Sequence, residues 1–239
     1  MLNTLARRVG IATLLCVPLI AVAIEPGEYT TEKSWGTLIV KRDKTGKLLF
    51  NIDSVGDNGH SCTLEGEIKQ GKATLEGDEP KQPCVVSFAQ TKEGIKVGRN
   101  EGMACQFYCG VRAIFEGVYM KAPAACRPEP VEKTRAAARK AYDGKNYDSA
   151  RNLLGTVLKD CKPFLGTFTE GWLRNDLAIT LHKLKDLAGC RETLKPLAAD
   201  ASQKDAKIRE DYAPTDADTY LPILKATRVN LKLCAAPKS

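Results

Sequence analysis

The chain has 239 residues, with 36 lysines and arginines against 29 aspartates and glutamates, 43% hydrophobic residues, nine cysteines and only two histidines. Ordinary hydrophobic content, 27% charged residues and no long apolar run beyond the first 25 residues exclude a disordered chain and a polytopic membrane protein. The formal net charge of +7 is modest and aromatic and basic residues do not interleave, so a nucleic-acid partner is not expected.

Residues 1–23 read as a cleavable export signal: Arg7 and Arg8, an apolar run from Val9 to Val22, and Ala21-Val22-Ala23 as the cleavage site. The mature chain then begins near Ile24, in the periplasm or outside the cell, without stable membrane insertion, and Cys16 leaves with the signal. The cysteines that remain are Cys62, Cys84, Cys105, Cys109, Cys126, Cys161, Cys190 and Cys234, an even set in a chain bound for an oxidising compartment, and four disulfides are expected. Cys105-x-x-x-Cys109 lacks the second tight pair or nearby histidine of a structural zinc site, and it is not a C-x-x-C redox motif. No metal and no cofactor is expected.

From residue 24 to 121 short β-type runs alternate with turn residues. The runs are 36–40, 48–52, 62–68, 73–76, 85–88, 95–97 and 111–119; the reversals fall at Asp43-Lys44-Thr45-Gly46, Asp57-Asn58-Gly59, Gln70-Gly71, Gly77-Asp78 and Lys92-Glu93-Gly94. Seven or eight strands at that spacing predict a small antiparallel barrel or sandwich, with Trp35, Leu38 and Val40 filling one end of its core. Residues 122–130 read as a Pro-Ala linker, and from 131 to 239 the period becomes helical. The fold class is thus α+β, in two domains. Apolar stripes run through Ala137, Ala138, Ala141 and Tyr142, then through Ala150, Leu153, Leu154, Val157 and Leu158, with Gly144-Lys145-Asn146 as the turn. A third helix carries Leu173, Leu177, Leu181 and Leu184 behind a capping pair, Thr167 and Glu170; a fourth carries Cys190, Leu194 and Leu197, and the last runs over 220–234. Four cysteines fall in each half, so every disulfide can be domain-internal, and each half leaves three connectivities open.

The helices contain a repeat: Ala138, Ala141, Tyr147, Ala150, Leu154 and Val157 recur forty residues later as Ala178, Leu181, Leu187, Cys190, Leu194 and Leu197. This pattern resembles the tetratricopeptide repeat over residues 131–160 and 171–199, with a longer period than the usual ~34 residues and a leucine where the second unit would carry tyrosine. The resemblance implies an inner groove lined by the first helix of each hairpin, here Arg135, Arg139, Tyr142, Asn175, His182 and Lys183. The second half carries 21 basic and 15 acidic residues against 13 and 14 in residues 24–121, so that groove is expected to be basic and to receive an acidic peptide or a carboxylate terminus.

Catalytic motifs are absent. His60 and His182 have no convincing partners, no serine sits in G-x-S-x-G, and no phosphate, dinucleotide, zinc-protease or calcium-loop motif appears. The β half, with Cys84, Cys105-Gln106-Phe107-Tyr108-Cys109-Gly110 and Phe115-Glu116-Gly117-Val118-Tyr119, resembles in architecture the small disulfide-bearing β-barrels of envelope proteins that inhibit lysozymes. That resemblance makes the turn with Asp57, Asn58 and His60 the candidate inhibitory loop. The expected function is a non-enzymatic periplasmic protein-interaction module. The alternatives are an inhibitor or immunity protein against a cell-wall hydrolase, and a hydrolase using His60 or His182.

Overall fold

The structure, a computed structural model, describes residues 23–76, 82–100 and 103–235; the expected signal segment up to residue 22 and the Gly77-Asp78 reversal lie outside them. The first half is one antiparallel sheet of eight strands: β1 (Gly27–Thr31), β2 (Gly36–Arg42), β3 (Leu48–Val55), β4 (Ser61–Ile68), β5 (Lys72–Leu75), β6 (Cys84–Gln90), β7 (Gly94–Arg99) and β8 (Gly117–Met120). Their order is β4-β3-β2-β1-β8-β7-β6-β5. Period-two alternation sends every second side chain inward, and the rows continue across strands: Leu38 lies opposite Ile52, and Ile52 opposite Leu64. Phe50 and Phe88 meet in the interior with ring centroids 4.8 Å apart. Trp35 is only half-buried, at the rim beside Gly117 and Tyr119, while Leu38 and Val40 fill the core as expected.

The tight turn at Gln70 and Gly71, both at positive φ, folds β5 back beside β4 and makes the sheet a nearly closed barrel. Beyond the bridge Lys69↔Lys72 no register joins β4 to β5 among the described residues. The connection from β7 to β8 spans that seam. Cys105, in the short turn Ala104–Tyr108, bonds Cys84 on β6, and Cys109 bonds Cys62 on β4. The Tyr108 hydroxyl donates to the Glu76 carbonyl at 2.7 Å, just past β5, and the Gly110 amide donates to the Ser61 carbonyl at 2.8 Å. The strap then crosses the barrel end so close to Gly56 that a Cβ there would lie 2.0 Å from the Arg112 carbonyl oxygen. This corrects the expected strand over 111–119, since only Gly117–Met120 pairs, whereas β1 carries no strong β-type run and pairs because β2 and β8 flank it.

Six helices form the second half: α1 (Pro128–Asp143), α2 (Tyr147–Asp160), α3 (Thr167–Lys183), α4 (Leu187–Ser202), α5 (Asp205–Asp211) and α6 (Pro214–Leu233). α1 begins inside the expected linker because Pro128 and Pro130 occupy its first turn, where no N–H is needed. The forty-residue repeat recurs in detail. Ala138 and Ala178, Ala150 and Cys190, and Leu154 and Leu194 are all buried. Lys145 and Lys185 both take the left-handed conformation, and Asn146 and Asp186 cap the following helices by accepting from the Ser149 and Gly189 amides. Lys145, rather than Gly144, supplies the positive φ of the first turn. Cys126–Cys161 ties the start of α1 to the end of α2, and Cys190–Cys234 ties α4 to the end of α6. All four disulfides are therefore domain-internal. No helix among the described residues is long and apolar enough to cross a membrane.

Two barrel turns dock the halves together. Lys33 and Ser34, both at positive φ, reach the start of α3: Lys33 pairs with Glu170 at 2.8 Å, and the Ser34 hydroxyl donates to the Phe164 carbonyl. Gly166, not Thr167, is the N-cap of α3, so the expected capping pair is replaced by this contact. α6 starts six residues before the expected Tyr220, behind Ala213, which has no side chain able to cap. Asn58 performs that role from the barrel: its Oδ1 accepts from the Thr215 hydroxyl at 3.0 Å and the Thr215 backbone amide at 3.4 Å, and its backbone N–H donates to Asp216 at 3.1 Å. Asn58→Ala is expected to lower stability by about 1 kcal/mol, the ordinary value of a lost cap. It should speed amide exchange in the first turn of α6, and unchanged exchange there would overturn the trans-capping assignment.

Candidate functional site

Helices α1 and α3 both pack on α2 and only graze each other, which leaves a groove of about 600 Å³ between them. Small residues keep it open: Ala136 and Ala138 on α1 put no bulk between the walls, and Leu154 of α2 forms the floor. The α1 wall carries Glu132, Arg135, Arg139, Tyr142 and Asp143; the α3 wall carries Trp172, Asp176, Ile179 and Thr180. This volume lies within the range of sites that take a small ligand or a short peptide.

Arg135 is committed within the groove. Its Nε donates to Asp176 at 2.7 Å, Glu132 lies 4.0 Å from its Nη1, and its guanidinium sits 5.6 Å from the Trp172 ring centroid. Arg139 and Asp143, by contrast, are exposed and make no ion pair or side-chain hydrogen bond among the described residues. Burial, the neighbouring Tyr147 and the Asp143 charge push the Tyr142 hydroxyl up from its ordinary pKa, so it stays a neutral donor. The lining holds two arginines against three carboxylates, so the positive excess of the helical half does not concentrate here.

Of the six expected groove residues, the structure brings Arg135, Arg139 and Tyr142 together and places Asn175, His182 and Lys183 outside the lining. Two of the three positions expected on α3, Asn175 and His182, are the forty-residue equivalents of Arg135 and Tyr142. In a stacked array those positions face the next helix in line, so Arg135 on α1 faces α3 while its repeat equivalent on α3, Asn175, faces α6. Asn175 is buried there, donating to Thr227 Oγ1 at 3.0 Å and accepting from Asn230 Nδ2 at 3.0 Å. His182 lies seven residues on, half-buried, its Nδ1 without a hydrogen-bond partner among the described residues. Lys183 is exposed. The α3 residues missed, Trp172, Asp176, Ile179 and Thr180, line the side of the helix turned to α1, and which side that is was set by packing rather than by the repeat spacing.

No family model matches this chain, and neither the curated proteins nor the solved structures compared with it give a match. The site therefore rests on its own geometry. Asp57, Asn58 and His60 sit at the docked end of the barrel, where Asn58 is engaged with α6 and His60 packs beside Gly110, whose Cβ would lie 2.7 Å from Nδ1. An inhibitory use of that loop would have to displace α6. The strap next to it exposes Met103, Phe107, Val111 and Ile114. Among the described residues no cluster of three or more histidine, cysteine or carboxylate groups suits a metal ion, and all eight cysteines in them are disulfide-bonded.

Proposed function

We propose that the chain is a non-enzymatic protein-interaction module of the bacterial periplasm, or of the medium outside the cell, and that it engages its partner through the groove between α1 and α3. The observation that carries this reading is the groove itself, an open cleft with an apolar floor, a tryptophan wall and polar rims, held between two hairpins of one repeat. Its place on the first helices of successive hairpins is the place the likeness to tetratricopeptide repeats assigns to a bound segment. Four disulfides fit an oxidising compartment, and they stiffen both halves of a chain that has to hold one groove shape.

Filling the groove tests this. Ala136 is exposed on its wall, so Ala136→Trp occupies the cleft without entering the core. Affinity capture from envelope extract with residues 24–239, disulfides intact, is expected to retain one stoichiometric protein. Ala136→Trp should lower that retention about tenfold or more, the scale of a lost central contact, while Ile39→Asp on the outer face of the barrel leaves it unchanged. Equal retention by Ala136→Trp would overturn the groove as the contact surface.

A further inference from the structure

Within that proposed groove the charges are ordered, and the order specifies a ligand. Asp176 neutralises Arg135 and leaves Glu132, 4.0 Å from it, as an excess carboxylate; further along α1 the charges left for an incoming group are Arg139 and Asp143. They stand one helical turn apart on the α1 rim, about 6 Å along the axis at 1.5 Å per residue. An extended peptide places residues i and i+2 on one side about 6.6 Å apart, and residue i+1 on the other. The geometry points to an extended segment carrying one acidic and one basic side chain two residues apart with an apolar residue between them, the carboxylate against Arg139, the cation against Asp143 and the apolar side chain toward Ile179 and Trp172. This proposal rests on the groove reading above but differs from a basic groove for acidic peptides: a di-acidic segment would set its second carboxylate against Asp143, and a di-basic segment its second cation against Arg139.

Trp172 supplies the readout, because the chain has only two tryptophans and Trp35 lies on the barrel. Fluorescence titration of the full chain uses the blocked probe pentapeptides Ala-Glu-Leu-Lys-Ala, Ala-Glu-Leu-Glu-Ala and Ala-Lys-Leu-Lys-Ala. The Glu-Leu-Lys probe is expected to bind about fivefold or more tightly than either like-charged probe, the size of one exposed attraction exchanged for a repulsion. Charge exchange then has to move the preference: Arg139→Glu toward Lys-Leu-Lys and Asp143→Lys toward Glu-Leu-Glu, both at exposed positions that make no ion pair or side-chain hydrogen bond among the described residues. Equal binding of all three probes, a wild-type preference for Glu-Leu-Glu, or no response of Trp172 to any of them overturns the charge order. If the charge order fails while Ala136→Trp still abolishes partner capture, the groove reading stands without it. If Ala136→Trp leaves capture unchanged, the groove reading itself falls.

Discussion

Replacing Cys62 and Cys109 together by alanine is expected to destabilise the barrel by about 4 kcal/mol, the chain-entropy value for the 47-residue separation this bridge closes. The effect should be local before it is global. β4 and β5 are joined by ladder bonds only at their turn, and the two disulfides of the strap substitute for the missing register, one on β4 and one on β6. Without Cys62–Cys109 the strap stays tied to β6 alone and the seam loses its β4 side. Amide exchange in β4 should therefore accelerate far more than in β2 or β7, while helical-half protection changes little, because its two disulfides are separate. Removing Cys84–Cys105, which closes a separation of 21, is expected to cost about 3 kcal/mol. Urea unfolding in a Trp172→Phe background, followed by Trp35 fluorescence and by helical circular dichroism, checks both values. Uniform loss of protection across the whole barrel would show that the seam is not its weak line.

Glu170→Ala is expected to cost about 3 kcal/mol, the low end for breaking a buried ion pair by deleting one partner. The Glu170 side chain is 12% exposed in the first turn of α3. It accepts from Lys33 Nζ at 2.8 Å and from Arg174 Nε and Nη2 at 3.0 and 2.7 Å. Its loss leaves the Arg174 guanidinium, 15% exposed, with only the Thr193 carbonyl to satisfy it among the described residues. Lys33→Ala removes a partner that is 43% exposed and should cost under about 1 kcal/mol. The same site carries a pH signature. Burial alone would raise the Glu170 pKa, but the hydrogen bonds and charges of Lys33 and Arg174 outweigh it and hold the carboxyl below its ordinary 4.5. A folded pKa below the unfolded one means that the stabilisation is complete above about pH 5 and is lost as pH falls through the lower folded value. The stability difference between the wild type and Glu170→Ala should thus be flat from pH 5 to 8 and shrink below pH 4.5. A difference that stays constant down to pH 3 would count against a charged Glu170 in the folded state.

The period-two runs that became β2, β3, β4, β6 and β7, the Gln70-Gly71 reversal, the change of period after residue 121 and the forty-residue repeat were all legible in the sequence, because each is a local spacing of side chains along one strand or one helix. So was the partition of the cysteines by domain. The pairing Cys62–Cys109 and Cys84–Cys105, the strap over residues 111–116, the trans-cap that Asn58 gives α6 and the turning of Asn175 away from the groove were not. Each depends on which surface of an element meets a neighbour distant in the chain. A helix register repeats every forty residues here, but its environment does not: α1 meets α3 where α3 meets α6. Spacing therefore set which residues share a face, and only tertiary packing decided what that face touches and which charges remain free beside it.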